Sequence, residues 1–198
     1  MQTINPYILN DLVKQIEPYV VTDTFVIDEW LSHTGIHESP NNIVSDGNPP
    51  QTMHLGDRWK VGYDETRYFE ADVIVPNYLA GKKVYLSIDF GGEALVRING
   101  EIVGAVSSRE NSGWVHRTEI LFKDKFKGGE KLSIQVEGAV DCASFCNRAI
   151  AGEKQLEYTL KKAELVAVNE KAESYWYDIS TAHEVYECCE DEYIKSRL

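Results

Sequence analysis

The clearest pattern along this chain is an alternation of apolar and polar residues that ends at Phe90. Val84, Leu86, Ile88 and Phe90 occupy every second position, and the residues between them are polar or amphipathic. Because successive side chains of a strand point to opposite faces, this spacing predicts a strand with one buried face over residues 83–90.

A second alternation runs through Val96 and Ile98 and reaches Asn99-Gly100. Asn and Gly tolerate the positive φ values of a two-residue hairpin turn. We therefore predict an antiparallel hairpin over residues 93–104, in which Ile102 and Val103 resume the buried pattern.

Strand signals recur along the middle of the chain. They cover residues 59–61, 67–75, 114–122, 131–137 and 157–168. Phe69, Val73 and Val75 share one side of their strand, as do Leu132, Ile134 and Val136 of theirs. Residues 37–51, rich in Pro, Asn and Gly, predict a loop. Several short strands separated by turn residues indicate an all-β jelly-roll sandwich.

Helical spacing marks the two ends of the chain. The N-terminal stripe consists of Ile4, Ile8, Leu12 and Ile16, flanked by Leu9 and Val13, and the C-terminal stripe consists of Ala182, Tyr186, Cys189 and Tyr193. Apolar residues at intervals of three or four positions predict amphipathic helices. The predicted organisation is an N-terminal helix over 1–20, a jelly-roll sandwich over 21–170 and a helical linker over 171–198.

Charge narrows the range of partners. The 198 residues include 20 Lys and Arg against 32 Asp and Glu, for a net charge of −12. An acidic surface repels phosphate backbones and anionic lipids, which disfavours nucleic acid and membrane partners. No apolar run approaches the roughly 20 residues of a membrane span. The opening MQTINPYILN lacks the basic start and apolar core of a signal peptide, so we expect a cytoplasmic location.

The cysteines and histidines do not follow a metal-site pattern. Cys142 and Cys146 are separated by three residues, and Cys188 directly precedes Cys189. Neither pair has the two-residue spacing of structural zinc sites, and no paired histidines follow. No metal and no cofactor are predicted in this chain.

Three segments, in this order, resemble the N-terminal domain of glycoside hydrolase family 38 α-mannosidases. They are residues 56–59 with 67–69 and Val75-Pro76, then residues 89–94 with 98–101, and finally residues 163–166 with 175–179. The Asn99-Gly100 hairpin is also similar to the sugar-binding domain of family 2 β-glycosidases. The resemblance implies a galactose-binding-domain-like jelly roll and spans essentially the whole chain.

The same resemblance limits the expected chemistry. The family's His-X-His-X-Asp zinc motif and nucleophilic Asp belong to a downstream catalytic barrel, and this sequence contains no His-X-His. The resemblance therefore implies a non-catalytic domain of an α-mannosidase whose partner is the rest of that chain. It places zinc in the missing catalytic domain only, and it allows oligomer contacts.

Carbohydrate contact is the binding chemistry to consider. Sugar rings pack on indole faces, which makes Trp59, Trp114 and Trp176 candidates. Arg67 and Arg97 are candidates for hydrogen bonds to sugar hydroxyls. Tryptophans buried in the sandwich and arginines in ordinary surface ion pairs are the competing interpretation, and it is favoured.

Two further classes of function stay open at this point. A self-standing carbohydrate-binding module would use the tryptophans as its platform. A scaffold or interaction domain would have no sugar ligand and would dock a partner through its C-terminal helix.

Overall fold

A computed structural model describes residues 6–39, 42–62, 65–108, 118–139 and 155–195. The chain divides into two compact units. One comprises Phe25–Leu165, and the other combines Met1–Thr24 with Val166–Leu198. The segment boundaries predicted from the sequence stay a prediction.

The described residues are predominantly β, with helices near both ends, as predicted. The strands are β1 (Val21–Val26), β2 (Trp30–Ser39), β3 (Asn42–Ser45), β4 (Gln51–Met53), β5 (Arg58–Gly62), β6 (Thr66–Ile74), β7 (Lys83–Asp89), β8 (Glu93–Ile98), β9 (Glu101–Ser107), β10 (Glu119–Leu121), β11 (Lys131–Ala139), β12 (Gln155–Thr159) and β13 (Lys162–Val168). The helices are α1 (Pro6–Ile16), α2 (Glu170–Cys188) and α3 (Glu192–Lys195).

The larger sheet has the order β3-β2-β6-β11-β8-β9, and β4 adds to it by pairing with β2. Its pairings are antiparallel, with Leu132 opposite Val73 and Val136 opposite Phe69. These four side chains are buried, as the alternation of the two strands predicted. The sequence pattern therefore assigns the inner face of this sheet correctly.

The second sheet has the order β1-β13-β7-β10, and β5 pairs separately with β12. Val84, Leu86 and Ile88 of β7 are buried, which confirms the inner face of the predicted strand. Ser87 was expected on the solvent side but is also fully buried, because β7 is covered on both faces at this point.

The predicted hairpin turn is confirmed at Asn99-Gly100, where φ is 52° and 84°. Asn99 also accepts a hydrogen bond at its Oδ1 from the Ser133 backbone N–H, at 2.9 Å, so the turn is tied to β11. The expected return of Ile102 and Val103 to the buried face is wrong, because both are exposed. An irregularity in the β8–β9 register interrupts the alternation there.

Two predicted elements are corrected by the pairing. The loop expected over 37–51 is wrong in part, because β2 extends to Ser39 and pairs with β3. The single strand expected over 157–168 is two strands in different sheets. Between them the Leu160 N–H donates to the Asp57 carbonyl and the Lys161 N–H to the Asp89 carbonyl, so the chain changes partners at this point.

The strand expected over 114–122 can be compared with the structure only in its second half. Glu119–Leu121 forms β10, whereas residues 114–117 lie outside the described part of the chain.

In the unit that contains both termini, α1 packs against α2. The Asn169 side chain accepts hydrogen bonds from the N–H groups of Lys171 and Ala172, which caps the first turn of α2. Leu9, on the flank of the predicted stripe of α1, is buried, whereas Ile8 is 53% exposed, so the buried side is displaced toward that flank. α2 ends at Cys188, so the predicted continuous stripe through Cys189 is wrong.

Five aromatic side chains form the centre of the 25–165 unit. They are Trp30, Trp59, Phe69, Phe90 and Tyr158, and all are buried. Their ring centroids lie 4.7 Å apart for Phe69 and Phe90, 4.9 Å for Trp59 and Tyr158, and 5.2 Å for Trp59 and Phe69. Tilted and edge-on aromatic contacts of this kind add to the free energy of burial.

Shortening a buried leucine should destabilise this unit more than shortening an exposed one. Leu86→Ala removes a fully buried side chain and should lower the free energy of unfolding by about 2–5 kcal/mol. Leu121→Ala, on the neighbouring strand β10, truncates a 45% exposed side chain and should cost about 0.5 kcal/mol or less. Urea unfolding of both variants measures the difference, and equal losses would contradict the assigned inner face.

Candidate ligand-binding cleft

A polar cleft of about 620 Å³ lies within the 25–165 unit. Strands β2, β4, β5 and β6 and their connections contribute its walls. The residues that matter chemically are Thr34, Asp46, Gln51, Asp57, Glu65 and Arg67. Its surface is dominated by groups that donate or accept hydrogen bonds.

Arg67 lies on the core side of β6, although an ordinary surface ion pair was the favoured interpretation from the sequence. In the β2–β6 register it is opposite Thr34, and Phe69 is opposite Ser32. Residues two positions apart on a strand share a face, so Arg67 points to the same side as the buried Phe69. An inward cation is tolerated at this position because the interior opens into the cleft.

Neutral oxygens hold the guanidinium of Arg67. Its Nε donates to Ser32 Oγ at 2.7 Å, one terminal nitrogen donates to Thr34 Oγ1 at 2.9 Å, and the other donates to Gln51 Oε1 at 3.1 Å. Partial burial lowers the pKa of Arg67, and the nearby Asp46 carboxylate acts in the opposite direction. The side chain is thus a fixed cation with no carboxylate at ion-pair distance among the described residues.

Carboxylates at the rim are held by backbone groups. Asp57 Oδ2 accepts from the His54 N–H and Glu65 Oε2 from the Gly62 N–H, each at 2.8 Å. The hydrogen bonds that Asn48 donates to Asp46 lower the pKa of that carboxyl group. These contacts fix the positions of the acids around the cleft.

Two further cations line the same cleft, Arg58 and Lys60. Both lie near Glu157, with nitrogen-to-oxygen distances of 3.1 Å for Arg58 and 3.7 Å for Lys60. They are exposed, so these pairs contribute little to stability.

The tryptophans named from the sequence lie elsewhere. Trp59 lines the cleft but is only 3% exposed, and its ring contacts Phe69 and Tyr158. Trp114 lies outside the described residues. Trp176 is half-buried on α2, where its ring meets that of Tyr177 at 5.2 Å. Trp59 and Trp176 therefore pack against other aromatic side chains of the protein.

Of the two arginines named from the sequence, only Arg67 belongs to this cleft. Arg97 forms a half-buried ion pair with Glu137 across β8 and β11, at 2.6 Å. Ser32, Thr34 and Gln51 were not predicted as partners of Arg67. Arg67 and Phe69 are two positions apart on the same strand, and this spacing in the sequence already indicates that Arg67 points inward. No local pattern indicated the three partners.

The side chain of Tyr68 lies on the outer face of the larger sheet. Tyr68 stacks on His33 with ring centroids 5.2 Å apart, and it lies opposite Glu137 in the β6–β11 register. Burial, assisted by the charge of Glu137, raises the pKa of Tyr68 to about 12.

Neither a metal centre nor a membrane segment is visible in the part of the chain that the structure describes. Within those residues, no group of three or more His, Cys, Asp or Glu side chains is arranged to hold a metal ion. The described helices also include none with the length and apolarity to cross a bilayer.

Antiparallel sheets with an inner aromatic core define this protein as a β-sandwich of the jelly-roll class. A family described as "Alpha-mannosidase, jelly roll domain" matches residues 28–166, and the chain belongs to that family. This match confirms the resemblance and the fold class inferred from the sequence. A comparison with curated protein sequences found no match.

Solved structures show the same fold in other glycoside hydrolases. A β-glucuronidase from Faecalibacterium prausnitzii is 14% identical with a TM-score of 0.50, over 75% of this chain and 32% of that chain. The β-glucuronidase of Ruminococcus gnavus is 12% identical with a TM-score of 0.50, over 76% of this chain and 30% of that chain. At these identities the likeness concerns the fold alone. The chain spans about a third of the length of the structures that it matches.

Removing the buried acceptor of Arg67 should weaken the fold. Ser32→Ala leaves the Nε–H of a half-buried cation without its 2.7 Å partner, and we expect a loss of about 1–3 kcal/mol in the free energy of unfolding. Ser45→Ala is the matched control, because its exposed hydroxyl bonds only the neighbouring Gly47 N–H among the described residues, and about 0.5 kcal/mol or less should be lost. Urea unfolding measures both, and a neutral Ser32→Ala would show that Arg67 does not depend on Ser32.

The raised pKa of Tyr68 predicts a loss of stability at alkaline pH. The pKa of Tyr68 is about 12 in the folded state, against 10.0 for an ordinary tyrosine. Between these two pH values the folded state therefore binds more protons than the unfolded state. The stabilisation is complete below pH 10 and disappears as the pH rises through the folded pKa. Urea unfolding at several pH values from 9 to about 11.5 should show a steeper decline for the wild type than for Tyr68→Phe. Parallel declines would show that Tyr68 titrates normally.

Proposed function

We propose that this chain is the non-catalytic N-terminal domain of an α-mannosidase that hydrolyses α-mannosides. The observation that carries the proposal is the match of residues 28–166 to the jelly-roll domain of α-mannosidases. The proposed partner is the rest of the α-mannosidase polypeptide, and the proposed location is the cytoplasm.

The role proposed for the domain is to brace the catalytic barrel and to contribute to its entrance or to oligomer contacts. Zinc, in this proposal, binds in the catalytic barrel and supplies the Lewis acid for glycoside hydrolysis. The large contiguous core of the 25–165 unit supports a bracing role, because a well-packed sandwich is rigid.

A self-standing carbohydrate-binding module is the second candidate. The polar cleft around Arg67 favours it, because ligand sites are concave and contain a few convergent polar groups. It differs from the first candidate in requiring no catalytic domain on the same polypeptide.

The size of the native polypeptide separates these candidates. An antibody raised against this 22.4 kDa chain should detect a much larger band in extracts of the source cell. The same antibody should precipitate activity that releases p-nitrophenol from p-nitrophenyl α-mannoside, and removal of zinc by a chelator should abolish it. Pre-immune serum is the control for the precipitation.

Two outcomes would contradict the first candidate. A band at 22.4 kDa with no mannosidase in the precipitate would exclude a covalent link to a catalytic barrel and favour the self-standing module. Mannosidase activity of the isolated purified chain would contradict the non-catalytic role.

A further inference from the structure

We infer that the Arg67 cleft is a binding site for a pair of neighbouring hydroxyl groups on a neutral sugar. The inference deepens the proposed function, because it rests on a role for this domain in a protein that acts on glycans. It concerns a site that differs from the tryptophan platform considered from the sequence.

The hydrogen-bond donors of the proposed site come from the forked guanidinium group of Arg67. A guanidinium carries five N–H groups, and three of them bond to Ser32, Thr34 and Gln51. One of the remaining two meets Met53 Sδ at 4.0 Å, which is a long contact to a weak acceptor. Both terminal nitrogens therefore retain donor capacity toward a ligand, and their fixed separation suits two adjacent oxygens.

The acceptors come from the carboxylates at the rim. Asp57 and Glu65 each use one oxygen to accept a backbone N–H. The second oxygen of each carboxylate has no hydrogen-bond partner among the described residues. Sugar hydroxyls donate as well as accept, so a polyol can satisfy the arginine and these carboxylates together.

Charge distinguishes a neutral sugar from an anion. Among the described residues of the lining, three carboxylates, Asp46, Asp57 and Glu65, lie around the cleft with Arg67. The other two cations of the lining, Arg58 and Lys60, are already close to Glu157. Like charges raise the free energy of binding, so an anionic ligand is disfavoured although Arg67 alone would attract it.

Recognition in this cleft depends on hydrogen bonds, not on ring stacking. Among the described residues of the lining, Trp59 is the one aromatic side chain, and it is buried against Phe69 and Tyr158. We therefore expect weak affinity and selectivity for the arrangement of hydroxyls, because each lost hydrogen bond leaves a desolvated partner.

The test is titration of the intact purified chain with two matched probes, followed by NMR. Methyl α-D-mannopyranoside should shift the Nε–H signal of Arg67 and backbone signals of residues around the cleft, in a saturable manner. Methyl α-D-mannopyranosiduronate has the same ring with a carboxylate and should bind more weakly.

Variants assign the binding to the cleft. Arg67→Lys keeps the charge and loses the fork, and we expect about tenfold weaker binding, as for the loss of one hydrogen bond to a charged group. Asp57→Asn keeps an oxygen for the His54 N–H, removes one negative charge, and should narrow the preference for the neutral probe. Arg97→Lys, outside the cleft, is the matched control and should leave binding of the neutral probe unchanged. Asp57→Asn keeps the test open if Arg67→Lys does not fold.

Three results would overturn the inference. They are no saturable shift with the neutral probe, tighter binding of the uronate, and equal weakening by Arg97→Lys and Arg67→Lys. None of these results affects the size of the native polypeptide or its mannosidase activity, so a failure of this inference is distinguishable from a failure of the proposed function.

Discussion

The hydrogen bond from the Trp59 indole N–H to the Phe90 carbonyl, at 2.8 Å, is the contact on which the 25–165 unit depends. It satisfies the carbonyl of the buried Phe90 just beyond the end of β7, and an unsatisfied group there would raise the free energy of the folded state. The Trp59 ring meanwhile packs on Phe69 of the larger sheet. A single side chain of β5 thus connects two sheets. Gly138 lies directly beside it, since a Cβ at that position would come within 3.1 Å of the indole.

The end of the aromatic core decides where the cleft begins. Phe69 is the last apolar residue on its side of β6 before the Arg67 position, and the opposite positions on β2 carry the hydroxyls of Ser32 and Thr34. At this end the inner face changes from rings to hydrogen-bonding groups within two residues. Placing a charged group next to buried rings costs little folding free energy only where the cation keeps fixed hydrogen-bond acceptors and partial access to water. The Arg67 cleft is therefore a continuation of the sandwich interior.

This arrangement bears on the function proposed for the domain, that of a non-catalytic part of a glycosidase. A rigid sandwich supplies a stable body, and the polar cleft is the proposed site for a hydroxyl-rich ligand. The pairing of Arg67 with neutral oxygens matters here, because a carboxylate partner would neutralise the fork and occupy its donors. A fold shared with glucuronidases carries no specificity by itself, so specificity must be sought in the residues of the cleft.

The sequence by itself determined the inner faces of β6, β7 and β11 and the hairpin at Asn99-Gly100, because alternation and positive φ are local properties. Its motifs also indicated the α-mannosidase jelly-roll family. Tertiary structure alone decided that the 157–168 stretch divides between two sheets and that Arg67 meets Ser32 and Gln51, which lie 35 and 16 positions away in the chain. No local sequence pattern predicts such long-range contacts, since they depend on which strands pair and in what register.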